Sequence, residues 1–483
     1  MHTMKINNVS LSQYSKEKSL RSDCAYQSMI SRYYETGQSY YSFNDLFEVL
    51  EEKINSDDLV SNFQYCQIGD VEKDGTPNPA NLDFNDRNLL DESYYSKIEK
   101  GDIMRVEKDD ILMSFLLPQD PQIKGKFTYI DSASEDIFFS TAFLRIKGKA
   151  YSKILFYALQ SVFYPDVVAT ARIRKGYTGY ATLSKDDLTN LKFSKNTIDS
   201  LFSKSIFLEK TIDDLESRIS LLKSTTRTSS EIIDAVFEKE FSFDYNKFEE
   251  LKNKKIYFSK ESAFANNPDL RFSAKFHRPA GDFVMSELQR ITDRKIKHYI
   301  SEPIILGASI SPKDFDENGT AYYVSMATIK TLSVELDDTQ LVSDSYFKAK
   351  SNKSVMPNDI IIARSGVAIG KSAIVEDSFD GVFADFTMRL RFDEAKCNPH
   401  FAYYYIRSKY FQYLIEIYKK GLQNQNIFPI VIQEFPFPDI SLAEQNRIVD
   451  TIQAEMKKQN DTRDKIAELR NSIDAIIESA IKT

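Results

Sequence analysis

Two stretches of the chain place apolar residues at alternating steps of three and four. In the tail from Leu442 to Thr483, Ile448, Ile452, Ile466, Leu469, Ile473 and Ile476 share one heptad register, which Ala480 closes. The spacing predicts a long helix with a coiled-coil seam. Glu455, Gln459 and Thr462 fall in the middle of that register, so the seam is polar at its centre and can fix alignment there. An earlier stretch, Lys195 to Ser224, places Ile198, Leu201, Ser205, Leu208, Ile212, Leu215, Ile219 and Leu222 in the same a/d order. Either the two helices pair with each other, or each packs on its own globular neighbour.

The segments between these helices correspond in order. RSDCAYQ near Leu20 takes the place that RFSAKFH takes at Arg271, and FQYCQIGDV at Phe63 that of AYYVSMATI at Ala321. VEKDDILMSFLLPQ at Val106 parallels VMPNDIIIARSGV at Val355, each an Asp feeding a short apolar run, which predicts a turn into a buried strand. Lys175-Gly176 matches Lys420-Gly421. The period is a whole domain, which argues for duplication and against a solenoid. Asn398-Pro399 reads as the cap and first position of one helix through HFAYYYIRSKYFQYLIEIYKK, ended by Gly421. IFPIVIQEFPFPDIS, with Pro429, Pro436 and Pro438, is expected to be extended.

Composition narrows the class. With 42% hydrophobic residues over 483 positions, and 27 Tyr and 34 Phe, the chain can build several cores and is not a disordered one. The first residues lack the apolar core of a signal peptide and no run is long enough for a membrane span, so a cytoplasmic protein is expected. Cys24, Cys66 and Cys397 are odd in number and far apart, which fits a reducing compartment, and His2, His277, His298 and His400 have no ligand-like spacing to them. A net charge of −8 counts mildly against nucleic acid, although a basic face can sit on an acidic molecule.

Gly366-Val367-Ala368-Ile369-Gly370-Lys371-Ser372 resembles a phosphate-binding loop, but it is one residue short, and AIVED after it looks like a strand where a nucleotide fold needs a helix. A Gly-rich turn between two strands is the better reading. No dinucleotide fingerprint, GxSxG elbow or Asn-Pro-Pro-aromatic box is present, so the chain is not expected to be an enzyme, and no catalytic or metal-ligating residue is assigned. The remaining chemistry is base reading. Gln423, Asn424, Gln425 and Asn426 follow Lys419 and Lys420, and Asn or Gln can bond bidentately to adenine while Lys reaches phosphate. The competing reading is a polar loop after a helix whose two lysines complement its dipole. Arg172, Arg174, Lys175 and Tyr177 form a comparable cluster in the first half. Arg364, Lys371, Arg389 and Arg391 add charge near the Gly-rich turn, and Lys124 and Lys126 do so at its counterpart.

PNDIIIARSGVAIGKSAIV from Pro357, the helix ending KKGLQNQN, and FPFPDISLAEQNRIVDTI from Phe435 resemble the specificity (S) subunits of type I restriction-modification systems. The first half departs from the pattern: NLKFSKNTIDSLF lacks the Pro-x-Pro and Glu-Gln elements, and Pro165 interrupts the helix expected there. The resemblance implies an α+β fold: two tandem globular α/β target-recognition domains, separated and followed by long helices that pair as an antiparallel coiled coil about a pseudo-twofold axis. The expected boundaries are a first target-recognition domain at 1–194, a central helical region at 195–250, a second target-recognition domain at 251–440 and a C-terminal helical region at 441–483. It implies a non-catalytic subunit of a bacterial phage-defence complex that binds a bipartite double-stranded DNA target. Its expected partners are two DNA adenine methyltransferase subunits, which would use S-adenosylmethionine, with a restriction and translocase subunit able to join; no cofactor is expected in this chain. About 28 helical residues at ~1.5 Å each span ~42 Å, little more than one turn of DNA, so the helices could act as a ruler. The rival expectation is a coiled-coil protein-binding scaffold in a defence complex without DNA readout.

Overall fold

The computed structural model describes residues 24–481 apart from 35–37, 52–53, 55–58, 60–61, 73–74, 84–91, 119–122, 174–179, 255, 260–272, 330–331, 338 and 422–424. It is a mixed α/β chain that divides into two compact units, one of residues 1–225 with 463–483 and the other of residues 226–462.

In the first unit the strands are β1 (Tyr40–Ser42), β2 (Phe47–Leu50), β3 (Asn62–Cys66), β4 (Ala80–Asp83), β5 (Asp110–Ser114), β6 (Leu116–Pro118), β7 (Phe127–Tyr129), β8 (Ile137–Phe139), β9 (Phe143–Gly148), β10 (Arg172–Ile173), β11 (Tyr180–Thr182) and β12 (Lys192–Ser194). A four-stranded antiparallel sheet runs β2-β9-β5-β7, and a three-stranded sheet runs β4-β3-β8 with β3 and β8 parallel. The second unit holds β13 (Ile305–Leu306), β14 (Ala321–Val324), β15 (Leu341–Val342), β16 (Ile360–Ala363), β17 (Ser372–Ile374), β18 (Gly381–Phe383) and β19 (Thr387–Leu390). Its sheets run β13-β19-β16-β17, antiparallel, and β15-β14-β18 with β14 and β18 parallel. Each unit therefore arranges seven strands in the same order with the same pairing senses.

The predicted Asp-led turns are where the two sheets agree in detail. Asp109 (φ 70°) and Asn358 (φ 71°) are both left-handed, a conformation that Asn and Asp tolerate better than most residues. The next residue, Asp110 or Asp359, is fully buried, and one carboxylate oxygen accepts a backbone N–H at 2.7 Å, from Glu107 and Met356 respectively. The strand that follows, β5 or β16, is buried along its whole length, as a central strand covered on both faces must be.

Each seam finds a core. Ile198, Leu201, Leu208, Ile212, Leu215 and Ile219, on the helices Lys195–Ser203 and Ser205–Ser224, share one apolar cluster with Ile473, Ile477 and Ala480 of the tail helix Leu442–Ile481. Ser200 Oγ and Lys204 Nζ donate to the Ala480 carbonyl at 2.6 and 2.8 Å, while Glu216 and Arg470 both reach the Tyr157 hydroxyl, so these stretches run in opposite directions. Earlier on the tail helix, Ile448, Val449, Ile452 and Met456 join the core of the second unit with Phe237, Phe401 and Phe437. The tail thus makes both of the contacts that the pattern left open. Its heptad register needs correction at two positions: Met456 and Ile477 are buried where the register named Glu455 and Ile476. Ile452, Gln459, Ile473 and Ala480 keep the seven-residue spacing of the register, and the position between them is taken by the residue one step further round the helix.

Two further expectations are corrected. The helix over HFAYYYIRSKYFQYLIEIY is broken at Ser408 (φ −67°, ψ 153°) into Pro399–Arg407 and Lys409–Tyr418. Ser408 Oγ donates to the Tyr405 carbonyl at 2.6 Å and Asp234 Oδ1 accepts the Lys409 N–H at 2.7 Å, satisfying groups that the break would otherwise orphan. Pro165 makes the comparable break in the first unit, as the second residue of the helix Tyr164–Thr170 that follows Ser152–Gln160. The segment IFPIVI is not wholly extended either: Pro429–Ile432 forms one helical turn, for which Pro429 at the first position is well shaped.

Candidate nucleic-acid interface

The Gly-rich turn is a strand-to-strand turn. Ile362 of β16 faces Ser372 of β17, Ala363 N–H donates to the Lys371 carbonyl at 2.8 Å and Gly370 N–H to the Ala363 carbonyl at 2.9 Å. Gly366 (φ 79°) and Gly370 (φ 88°) are both left-handed, and a Cβ at Gly370 would stand 2.7 Å from Gln412 Oε1.

Past the end of β16 the chain gathers polar groups. Arg364 N–H donates to the Phe386 carbonyl at 2.8 Å on one side, and its carbonyl accepts Ile427 N–H at 2.9 Å on the other. Ser365 bridges Asn426, and Asn426 exchanges two backbone hydrogen bonds of 2.7 Å with Lys420, which fastens the loop after the Lys409–Tyr418 helix to the strand end. The Arg364 guanidinium is half-buried, with Nε on the Asp385 carbonyl at 2.9 Å and Nη1 on Asn426 Oδ1 at 3.4 Å. A guanidinium held by two acceptors keeps its remaining N–H groups in a set plane, which suits bidentate recognition. Phe386, Phe428 and Ile430, all exposed, flank this edge in the chain.

The other basic candidates separate by geometry. Arg389 is 4% exposed, ion-paired to Glu302 and stacked 5.3 Å from the Phe383 ring. Arg391 is paired with buried Asp359 at 2.6 Å, at the start of β16, about 16 Å from Arg364 by strand rise. Both hold the sheet together. Lys419, largely buried, pairs with Glu416 at 2.6 Å, and burial lowers its ammonium pKa. Lys275 stands by the same carboxylate, and burial, then repulsion from Lys419 and Arg278, brings it down to about 8. In the first unit Lys124 pairs with Asp474 at 2.5 Å, Lys126 donates to the Ile68 and Gly69 carbonyls at 2.8 and 3.1 Å, and Arg172 pairs with Asp187 at 2.7 Å. Arg174, Lys175, Tyr177, Gln423 and Asn424 lie outside the described residues. One edge therefore unites Arg364, Lys420 and Asn426, with Gln425 next in the chain and Lys371 at the far end of the turn. Sequence reading missed Phe386, Phe428 and Ile430, because an aromatic or aliphatic residue in an apolar run carries no sign of which way it faces.

Among the described residues no group of three His, Cys, Asp or Glu side chains could hold a metal ion, and no helix is long and apolar enough to cross a membrane.

Residues 300–471 match the family described as Type I restriction modification DNA specificity domain. The residues from Arg364 to Asn426 all lie inside the matched stretch. Three solved structures are similar over 92% of this chain. The first, from work titled as the structural basis of complex assembly and conformational transition of the type I R-M system, is 13% identical, with 98% of that chain covered and a TM-score of 0.42. The HsdS subunit from Thermoanaerobacter tengcongensis is 13% identical, with 97% covered and a TM-score of 0.35. The type I restriction-modification S subunit from M. genitalium is 11% identical, with 97% covered and a TM-score of 0.38. No curated protein matches the chain.

Proposed function

We propose that this protein is the DNA sequence-recognition subunit of a type I restriction-modification complex, without catalysis of its own. The observation that carries the reading is the specificity-domain match over residues 300–471, within which Arg364, Lys420 and Asn426 converge past the end of β16. Arg364 is the base-reading or phosphate-clamping group there, Asn426 its positioning partner and Lys420 a phosphate contact. Phe386 and Phe428 supply apolar surface to the same edge.

The shared strand order of the two units supports a tandem, internally duplicated plan in which each unit reads one part of a bipartite target. The opposed run of residues 195–224 and the tail supports an antiparallel helical pairing. In this reading the partners are double-stranded DNA and two adenine methyltransferase subunits, which bring S-adenosylmethionine, with a restriction and translocase subunit able to join in the cytoplasm.

The test is co-expression with the cognate methyltransferase. Footprinting should show protection of a split motif, and methylation-sensitive sequencing should show adenine modification there. Modification that persists when this chain is deleted would sink the reading. The scaffold alternative draws on the net charge of −8, and partner binding indifferent to DNA and to salt would favour it.

A further inference from the structure

Beside the Gly-rich turn lies an open hollow of about 360 Å³ lined by Ser230, Gly370, Lys371, Ser372, Arg407 and Gln412, among others. We infer that this hollow is an oxyanion site for a phosphate-class ligand. Four observations point the same way. No carboxylate lines it among the described residues, in a chain with 71 acidic side chains. Two cations do: Lys371 is exposed, and Arg407 is oriented by Nη1 bonds to the Ser372 carbonyl at 2.9 Å and the Tyr403 hydroxyl at 3.0 Å, over the Tyr403 ring.

Ser372 is 1% exposed and its hydroxyl has no hydrogen-bond partner, an unusual state for a buried donor beside a polar hollow. Ser230 belongs to the first turn of the helix Ser229–Phe241, where the N–H groups of Ser229 and Ser230 have no intrahelical carbonyl and the dipole favours negative charge. These groups are supplied by four separate segments, the start of β17, the turn before it and the helices Pro399–Arg407 and Ser229–Phe241. That suits a tetrahedral oxyanion better than a planar carboxylate.

The sequence likeness to a nucleotide loop at residues 366–372 fails as a P-loop, since strand β17 follows it. What the turn retains is an exposed lysine beside the hollow and a buried serine next to it, with Gln412 Nε2 holding the turn's shape through the Gly370 carbonyl at 3.1 Å. The same chemistry would serve a DNA phosphodiester or a free phosphate, and the inference does not depend on the DNA reading.

Inorganic phosphate titrated calorimetrically into the full-length protein should bind saturably. Lys371→Ala, a change at an exposed position that leaves the unfolding temperature in place, should weaken it about tenfold, the effect of one charge-assisted hydrogen bond. Ser372→Ala should weaken it several-fold, and Lys313→Ala, at an exposed lysine in the turn Pro312–Asp314 that does not line the hollow, should leave it unchanged. Displacement of phosphate by a DNA duplex, with a salt slope smaller by about one in Lys371→Ala, assigns the site to the DNA backbone. Displacement by ATP but not by the duplex assigns it to a free phosphate. Absence of saturable phosphate binding by the parent protein, or equal affinity in the Lys371 and Ser372 variants, overturns the inference.

Discussion

Arg391 grips Asp359 with both arms, Nε on one carboxylate oxygen at 2.6 Å and Nη2 on the other at 2.7 Å, while Asp359 is fully buried at the head of the central strand β16. In the other unit Arg145 Nε meets buried Asp110 at 2.6 Å at the head of β5. Arg391→Ala strands a buried carboxylate and should destabilise the protein by about 3 kcal/mol or more, the scale for breaking a buried pair. Urea denaturation measures this, and DNA affinity per folded molecule should stay the same.

Arg364 makes the opposite prediction. Its guanidinium is half-buried just past the end of β16, so Arg364→Ala should cost little stability and about 1–3 kcal/mol of specific DNA affinity. Asn426→Ala frees the guanidinium from one of its two acceptors and should cause a smaller loss in the same assay. A gel-shift series at fixed salt with the assembled complex measures both, and unchanged affinity in Arg364→Ala would remove this residue from the interface.

The tail register can be read by mutation. Ile477 is fully buried in the first unit's core and Ile476 only partly, so Ile477→Ala should cost about 2–4 kcal/mol and Ile476→Ala distinctly less. The strict heptad predicts the reverse order. Thermal unfolding of the two variants decides.

Asp234 makes stability depend on pH. Burial, the largest effect, raises its pKa to about 6, against which the Lys409 N–H and ammonium pull it down. The folded state therefore holds a proton that the unfolded state, near the ordinary 3.8, gives up. Stability should rise as pH falls through about 6 and level off below about 4. The difference between the two values corresponds to about 3 kcal/mol. Asp234→Asn keeps an acceptor for Lys409 N–H and should remove this contribution, seen as a smaller gain in urea midpoint between pH 7.5 and pH 5.0 than in the parent protein.

Much of the architecture was legible because periodicity reports burial directly. The seam from Ile198 to Ile219, the Asp-led strands after Asp109 and Asn358, and the strand-to-strand turn at Gly366 all follow from local spacing and turn chemistry. Local pattern cannot report what a charge meets. Arg364, Arg389 and Arg391 look alike in the chain, yet one rests on a backbone carbonyl and Asn426 past the end of β16 while the others close on Glu302 and Asp359. It equally cannot see that Ser372, Arg407 and Ser230, from three separate segments, line one hollow.

By itself, then, the sequence determined where strands, turns and amphipathic helices form, since those depend on side-chain periodicity and backbone preference within a few residues. Only the tertiary structure decided which cations are spent on internal carboxylates, where Ser408 breaks a helix that its pattern would continue, and that Met456 and Ile477 displace Glu455 and Ile476 from the seam. Those outcomes rest on partners distant in the chain, whose identity no local spacing encodes.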